Sequence, residues 1–331
     1  MNSINKIYLN IAQIQEIVSN DLKKVNSIII ENIGNEVPMI SELSSHILAS
    51  GGKRIRPIIT LLTSKLCNYK GDNHLPLAAC IEFIHTATLL HDDVIDESKL
   101  RRGVATANDI FGNKTSVLVG DFLFSRSFEL MVANGSKRIL EVLSSASSTI
   151  AKGEVLQLTT VNDCNTSRET YMRIISSKTA SLFAAASEIS GILAEKENNV
   201  KNALSTYGEK LGIAFQLTDD ALDYIGSENL GKEIGDDFKE GKITLPVIIC
   251  IEKSDNEEKI FWKKTIEDLN QTDLDLGKAL ALIKKYNAIE ETISLANQFA
   301  SEAIDALGTF PHSEAKLALE SLAHIAVNRT K

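Results

Sequence analysis

Leu89-Leu90-His91-Asp92-Asp93-Val94-Ile95-Asp96 and Leu217-Thr218-Asp219-Asp220-Ala221-Leu222-Asp223 carry one pattern, Asp-Asp-x-x-Asp, each time inside an apolar run. On a helix, residues four apart share a face, so Asp92 projects with Asp96 and Asp219 with Asp223. Asp93 and Asp220 are rotated away by about 100°. They either reach a metal through water or orient the neighbouring carboxylates. Burying so many carboxylates among Leu, Ile and Phe is costly unless something cationic shares the site. The two clusters, 127 positions apart, therefore predict one cavity with acids on two walls and divalent metal between them. Hard oxygen ligands without a His–Cys set select Mg²⁺ or Mn²⁺ over zinc, and Mg²⁺ takes one or two protein carboxylates plus substrate phosphates. The site suits a polyanion, most plainly a diphosphate. A lone run of this kind is ordinarily a solvated helix face. The lead-ins (His85 to Leu90, and Phe215 to Thr218), neither of which looks like an exposed surface, and the repetition argue against that here.

The rest of the chain reads as helix. Prolines occur only at 38, 57, 76, 246 and 311, so none interrupts the long interval from 76 to 246. Apolar residues recur there at three and four: Leu77, Cys80, Ile81, Ile84; Leu182, Ala185, Ala186, Ile189; Leu204, Tyr207, Leu211, Ala214. This is the period of an amphipathic helix. Ile243 to Ile251 suits either a buried strand or a helix opened by Pro246. Breaks, at Asn68–Asn73, Arg102-Gly103, Val161–Ser167 and Ser227–Gly241 among others, are short connections. The expectation is an all-α chain forming one domain over residues 1–331.

Composition narrows the function. The 331 residues are 44% hydrophobic with net charge −9. An acidic chain without a basic run is a poor match for nucleic acid. Cys67, Cys80, Cys164 and Cys250 show no Cys-x-x-Cys spacing and read as small buried residues in a reducing compartment. No stretch resembles a signal peptide or approaches the roughly 20 apolar residues of a spanning helix. A cytoplasmic location is expected.

Cations sit at turns around the clusters. Gly51-Gly52-Lys53-Arg54-Ile55-Arg56-Pro57 precedes an apolar helix, and backbone N–H groups at such a start favour anions. Arg101-Arg102-Gly103 follows the first cluster; Lys232 and Lys242 follow the second; Lys178-Thr179 interrupts an apolar, small-residue helix. Singly, each reads as surface charge. Together they divide the labour: carboxylates hold metal while cations hold phosphate, as a departing diphosphate requires.

Gly-Gly-Lys-Arg-Ile-Arg-Pro, Leu-Leu-His-Asp-Asp-Val-Ile-Asp with Arg-Arg-Gly, Gly-Ile-Ala-Phe-Gln-Leu-Thr-Asp-Asp-Ala-Leu-Asp and Gly-Lys-Ile-Thr-Leu-Pro closely resemble the motifs of the trans-prenyl diphosphate synthases. Within them the likeness is to long-chain bacterial polyprenyl synthases, octaprenyl diphosphate synthases above all. The resemblance runs from Gly51 to Pro246. It implies a helical bundle around a deep central cavity, usually a homodimer. It implies that Lys53, Arg56, His85 and Arg102 hold isopentenyl diphosphate. Asp92, Asp96, Asp219 and Asp223 would bind Mg²⁺; Arg101, Lys178, Thr179, Gln216 and Lys232, with Lys242 added, would contact the allylic diphosphate. Catalysis would fall on Asp92, Asp96, Lys178 and Asp219. The implied reaction is ionisation of the allylic diphosphate, attack by the isopentenyl double bond and loss of a proton, the departing diphosphate being a reasonable acceptor. The implied product is an all-trans polyprenyl diphosphate built on a farnesyl primer for a quinone side chain, with transient membrane contact at its release. Shorter- or longer-chain synthases remain alternatives. A terpene cyclase would not need Lys53, Arg56 and Arg102; a non-catalytic subunit would be expected to lose cluster carboxylates; a phosphohydrolase built on His91-Asp92 leaves the acid clusters unexplained.

Short-chain members carry a bulky aromatic near the position that is Ala87 here, with Thr88 beside it and Ile84, Ile81 and Cys80 farther down. Ile81 lies about 16 Å along the axis from Asp92. Small residues at this level imply room for a product near forty carbons, although tight helix packing alone would also select alanine. Replacing Ala87 with Phe or Tyr is expected to shorten the product, read by chromatography of radiolabelled chains; an unchanged length distribution refutes this.

Overall fold

The interval without proline folds as successive helices. The computed structural model describes residues 8–49, 52–101, 103–225, 234–272 and 274–329. Two long helices carry the aspartate clusters. The first, His74–Ile95, is buried on nearly every side, through Leu77, Ala78, Cys80, Ile81, Ile84 and Leu90 among others. A helix apolar all round belongs in the interior. The second, Asn198–Ile225, is amphipathic and buries Leu204, Tyr207, Leu211, Ala214 and Leu217. The first packs most heavily on the helix Asn113–Asn134, and the second on Ser181–Leu193 and Ala288–Ala306. One connected apolar cluster extends from Ile14 to Val327.

Two departures from plain helix bear on the site. Leu100–Arg101 pairs antiparallel with Val104–Ala105, and Gly103 in the connecting turn has φ 76°. That two-residue ladder folds the chain back just after the first cluster. The other departure is a wide π turn, Ser176–Ala180, between the helices Arg168–Ile175 and Ser181–Leu193. The Ser181 N–H donates to the Ser176 carbonyl, five residues back. Such turns inside helices are frequent at functional positions, and this one carries Lys178 and Thr179. The segment open to two readings is the helix Leu245–Lys253, with Pro246 in its first turn, where a missing N–H costs nothing. All four cysteines are free thiols, and burial pushes Cys67 up to about 11. Among the described residues no helix is long and apolar enough to cross a membrane.

Glycines set how closely the second aspartate helix approaches its neighbour. A Cβ on Gly208 would stand 2.2 Å from the Phe183 carbonyl oxygen, and one on Gly212 would stand 2.6 Å from Ala180 Cα. Gly208, Gly212, Gln216 and Asp220 are spaced by four and form one row. The backbone contact at its start therefore fixes where its polar end meets the π turn. Gly208→Ala has rigid backbone to displace and is expected to destabilise the protein by about 2–3 kcal/mol. Urea denaturation measures this; an unchanged midpoint would show that the helices can separate freely.

Candidate active site

Each accessible acid of the first cluster meets a cation from another element. Asp92 Oδ2 lies 3.4 Å from Lys178 Nζ on the π turn. Asp96, the C-cap of its helix, lies 2.8 Å from Lys242 Nζ, which also pairs with Glu240 at 2.7 Å. Asp93 is buried and accepts from Arg101 Nε at 2.9 Å and from its Nη2 at 2.7 Å. This two-point grip holds the short ladder against the aspartate helix. Burial pushes the Asp92 carboxyl above its ordinary range; the Lys178 ammonium pulls it back and Asp96 adds to the rise. Burial alone would lower Lys178 and Lys242, but their acidic partners more than offset it and raise both.

In the second cluster Asp219 is half exposed and meets Arg329 Nη1 at 3.1 Å. Arg329, from the end of the chain, also stacks 3.8 Å over the Phe215 ring and donates to the Phe215 carbonyl at 2.9 Å. Asp223 accepts from the backbone N–H of Asp237 at 3.2 Å. Asp220 is buried and accepts from Tyr171 Oη at 2.5 Å and Gln216 Nε2 at 2.8 Å. The other end of the Gln216 amide accepts from the Thr179 hydroxyl at 2.8 Å. The result is a relay from Tyr171 through Asp220 and Gln216 to Thr179. Burial, with the charge of Asp237, pushes Asp220 up to about 7. A polar cavity of about 140 Å³ adjoins this relay, bordered by Lys178, Thr179, Gln216, Asp220 and Lys242.

The donors suit a hard cation, in two separated carboxylate pairs. Among the described residues no three acids, histidines or cysteines converge into a ready-made metal pocket.

Two candidate isopentenyl diphosphate residues, Lys53 and Arg56, lie at the start of the helix Ile55–Leu66. Lys53 is exposed, and Arg56 stacks 4.4 Å over the Phe183 ring. Arg54, in the left-handed region at φ 51°, pairs with Glu82 of the first aspartate helix at 2.5 Å. His85 is one turn beyond Glu82 on that helix. Arg102 and Lys232 lie outside the described residues. Ala87 and Ile84 are buried; the half-buried Thr88 donates its hydroxyl to the His85 carbonyl at 2.8 Å. His91 turns away from Asp92 toward Val117 and Asp121. The structure thus brings Asp92, Asp96, Lys178 and Lys242 together, and Thr179 with Gln216.

Sequence reading missed Glu154 and Gln157, which both accept from Lys178 Nζ, at 2.7 and 2.9 Å. Their spacing of three after Gly153 was a signal available in the chain. It missed Tyr171, seven before Lys178, and Arg329, whose position near the end of the chain gave none.

Residues 37–283 match the family model described as polyprenyl synthetase. The chain is 47% identical over 324 residues to octaprenyl diphosphate synthase of Escherichia coli (strain K12), covering 98% of this chain and 100% of that protein. It is 38% identical over 314 residues to all-trans-nonaprenyl-diphosphate synthase (geranyl-diphosphate specific) of Rhodobacter capsulatus, covering 94% and 96%. A solved polyprenyl synthase from Caulobacter crescentus CB15, complexed with calcium and isoprenyl diphosphate, superposes with TM-score 0.94 at 46% identity, covering 97% and 98%.

The raised carboxyl of Asp220 has a consequence for pH. Between about 4 and about 7 the folded protein keeps a proton there that the unfolded chain has released. Stability then falls as pH rises through this window, by at most roughly 1.4 kcal/mol per pH unit. Metal-free wild type is expected to lose more stability from pH 5 to pH 7 than Asp220→Asn, measured by chemical denaturation. Parallel losses would show that Asp220 is ionised throughout.

Proposed function

We propose, for a chain that belongs to the polyprenyl synthetase family, a long-chain trans-prenyltransferase that adds isopentenyl diphosphate units to an allylic diphosphate. Farnesyl diphosphate is the primer and octaprenyl diphosphate the product, serving a quinone side chain. The pairing of acids and cations across the site carries this reading: Lys178 with Asp92 and Lys242 with Asp96. Both partners of each pair are what a metal-bound diphosphate needs. The 47% identity to an octaprenyl diphosphate synthase supports the chain length, and so do the small side chains at Ala87 and Thr88.

Asp92 and Asp96, with Asp219 and Asp223, would hold Mg²⁺. Bound there, it would neutralise charge on the departing allylic diphosphate. Lys178, Lys242 and Arg101 supply fixed positive charge on the same side, while Thr179 and Gln216 offer hydrogen bonds. Lys53, Arg56 and His85, with Arg102, hold the second diphosphate in place. The apolar wall of the first aspartate helix, through Ile84 and Ala87, keeps water from the allylic cation. The protein works in the cytoplasm as a homodimer. Exposed Val117, Leu118, Phe128 and Val132 on the helix Asn113–Asn134 are a suitable apolar face for a second copy.

Purified protein incubated with isopentenyl and farnesyl diphosphates and Mg²⁺ is expected to yield octaprenyl diphosphate, identified by chromatography. Chelation should stop the reaction, and Asp92→Ala should slow it by about 10³-fold. No consumption of isopentenyl diphosphate would overturn the assignment.

A further inference from the structure

The π turn bearing Lys178 leans on the helix Lys137–Leu158. A Cβ on Gly153 of that helix would lie 2.8 Å from Ser177 Cβ and 2.9 Å from Lys178 N, so the two backbones are in contact. The next residue, Glu154, accepts from Lys178 Nζ at 2.7 Å; one turn farther, Gln157 accepts at 2.9 Å. An ammonium has three donors. Two go to one rigid helix, and Asp92, at 3.4 Å, is the longest of the three contacts. Side-chain exposure is 25% for Lys178 and 20% for Glu154, so water screens the pair only in part. Burial first, then the charge of Asp92, pushes the Glu154 carboxyl up to about 7. The Lys178 ammonium opposes that rise and favours the charged form.

We propose that Glu154, assisted by Gln157, is a positioning residue: it anchors two donors of Lys178 and leaves the third to pass from Asp92 to the allylic diphosphate. Without this anchor the ammonium has Asp92 as its nearest anion and settles on it. It then occupies the carboxylate needed for metal and is lost to the substrate. Gly153 supports the device by letting the anchoring helix sit against the turn. The inference rests on the prenyltransferase reading.

The test is a double-mutant cycle read by equilibrium binding. Calorimetry measures an unreactive sulfur-bridged analogue of farnesyl diphosphate binding with Mg²⁺. Glu154→Gln, which keeps the shape and removes the charge, is expected to weaken binding about tenfold. In the Lys178→Ala background the same change is expected to alter binding by less than about twofold, because its intermediary is gone. The KM for isopentenyl diphosphate should stay at the wild-type value. Gln157→Met runs the same cycle independently, with a smaller loss, should Glu154→Gln disturb folding as judged by circular dichroism. Equal losses in both backgrounds, or a loss confined to isopentenyl diphosphate, would overturn the proposal. Failure of the wild type to bind the analogue instead overturns the prenyltransferase reading, and is seen before any variant is compared.

Discussion

Carboxylates in an apolar interior must be paired. Of the two aspartate clusters Asp93 and Asp220 are buried and Asp92 and Asp96 partly so, and leaving them unpaired would cost more than the fold gains from most single contacts. The chain answers with cations from distant elements. Lys178 comes from the π turn, Lys242 from the segment after the second aspartate helix, Arg101 from the short ladder and Arg329 from the last residues described. Each pair ties an aspartate helix to another element, so electrostatic need and tertiary closure are met by the same contacts. The three aspartate positions divide accordingly. Asp93 and Asp220 are buried and committed to Arg101, and to Tyr171 with Gln216. Asp92, Asp96 and Asp219 remain accessible, with partners that can be exchanged.

That arrangement depends on backbone proximity, which side-chain chemistry alone does not supply. Gly208 and Gly212 let the second aspartate helix touch Phe183 and Ala180; Gly153 lets another helix touch the π turn from the far side. The turn is thus held between two helices at van der Waals distance. Packed helices resist small displacements, so Lys178 and Thr179 inherit fixed positions. The row Gly208, Gly212, Gln216, Asp220 passes from bare backbone to polar side chain where Thr179 and Tyr171 wait. Packing and polar network therefore share one register.

Legibility in the sequence followed this division. Local periodicity revealed both aspartate helices, because spacings of three and four are all that helix formation requires. The pairing of Asp92 with Asp96 and of Asp219 with Asp223 follows from the same geometry. Asp93 and Asp220 could be placed off that face; their partners, Arg101 for one and Gln216 with Tyr171 for the other, could not. The π turn left almost no local trace; the close approach of Gly153 and Gly212 to it comes from other helices. Arg329 was illegible for a similar reason: it stands 110 positions after Asp219, and only tertiary folding brings them together. Ile243 to Ile251, ambiguous by composition, was decided by Pro246 at a helix start.

The proposed substrate would enter a site whose acids and cations are already paired. Were Asp92 and Asp96 bare, a metal would bind tightly without substrate; were Lys178 and Lys242 bare, any phosphate would lodge there. Paired with each other, both sets are held back. A metal and a diphosphate arriving together would satisfy acids and cations at once, leaving no charge buried alone. Either arriving singly would strand one partner in a partly dry site, at a cost of several kcal/mol. A requirement for both would then be a consequence of how the interior tolerates its carboxylates, and it would restrict the strongest field to the moment when a complete allylic substrate is present. The first aspartate helix carries the acids of this exchange at one end and, one turn and more below, the buried Ala87 and Ile84 along which the product would grow. A helix that is apolar on nearly every side would serve both ends, because the same exclusion of water that makes unpaired charge costly would protect a cation formed beside it.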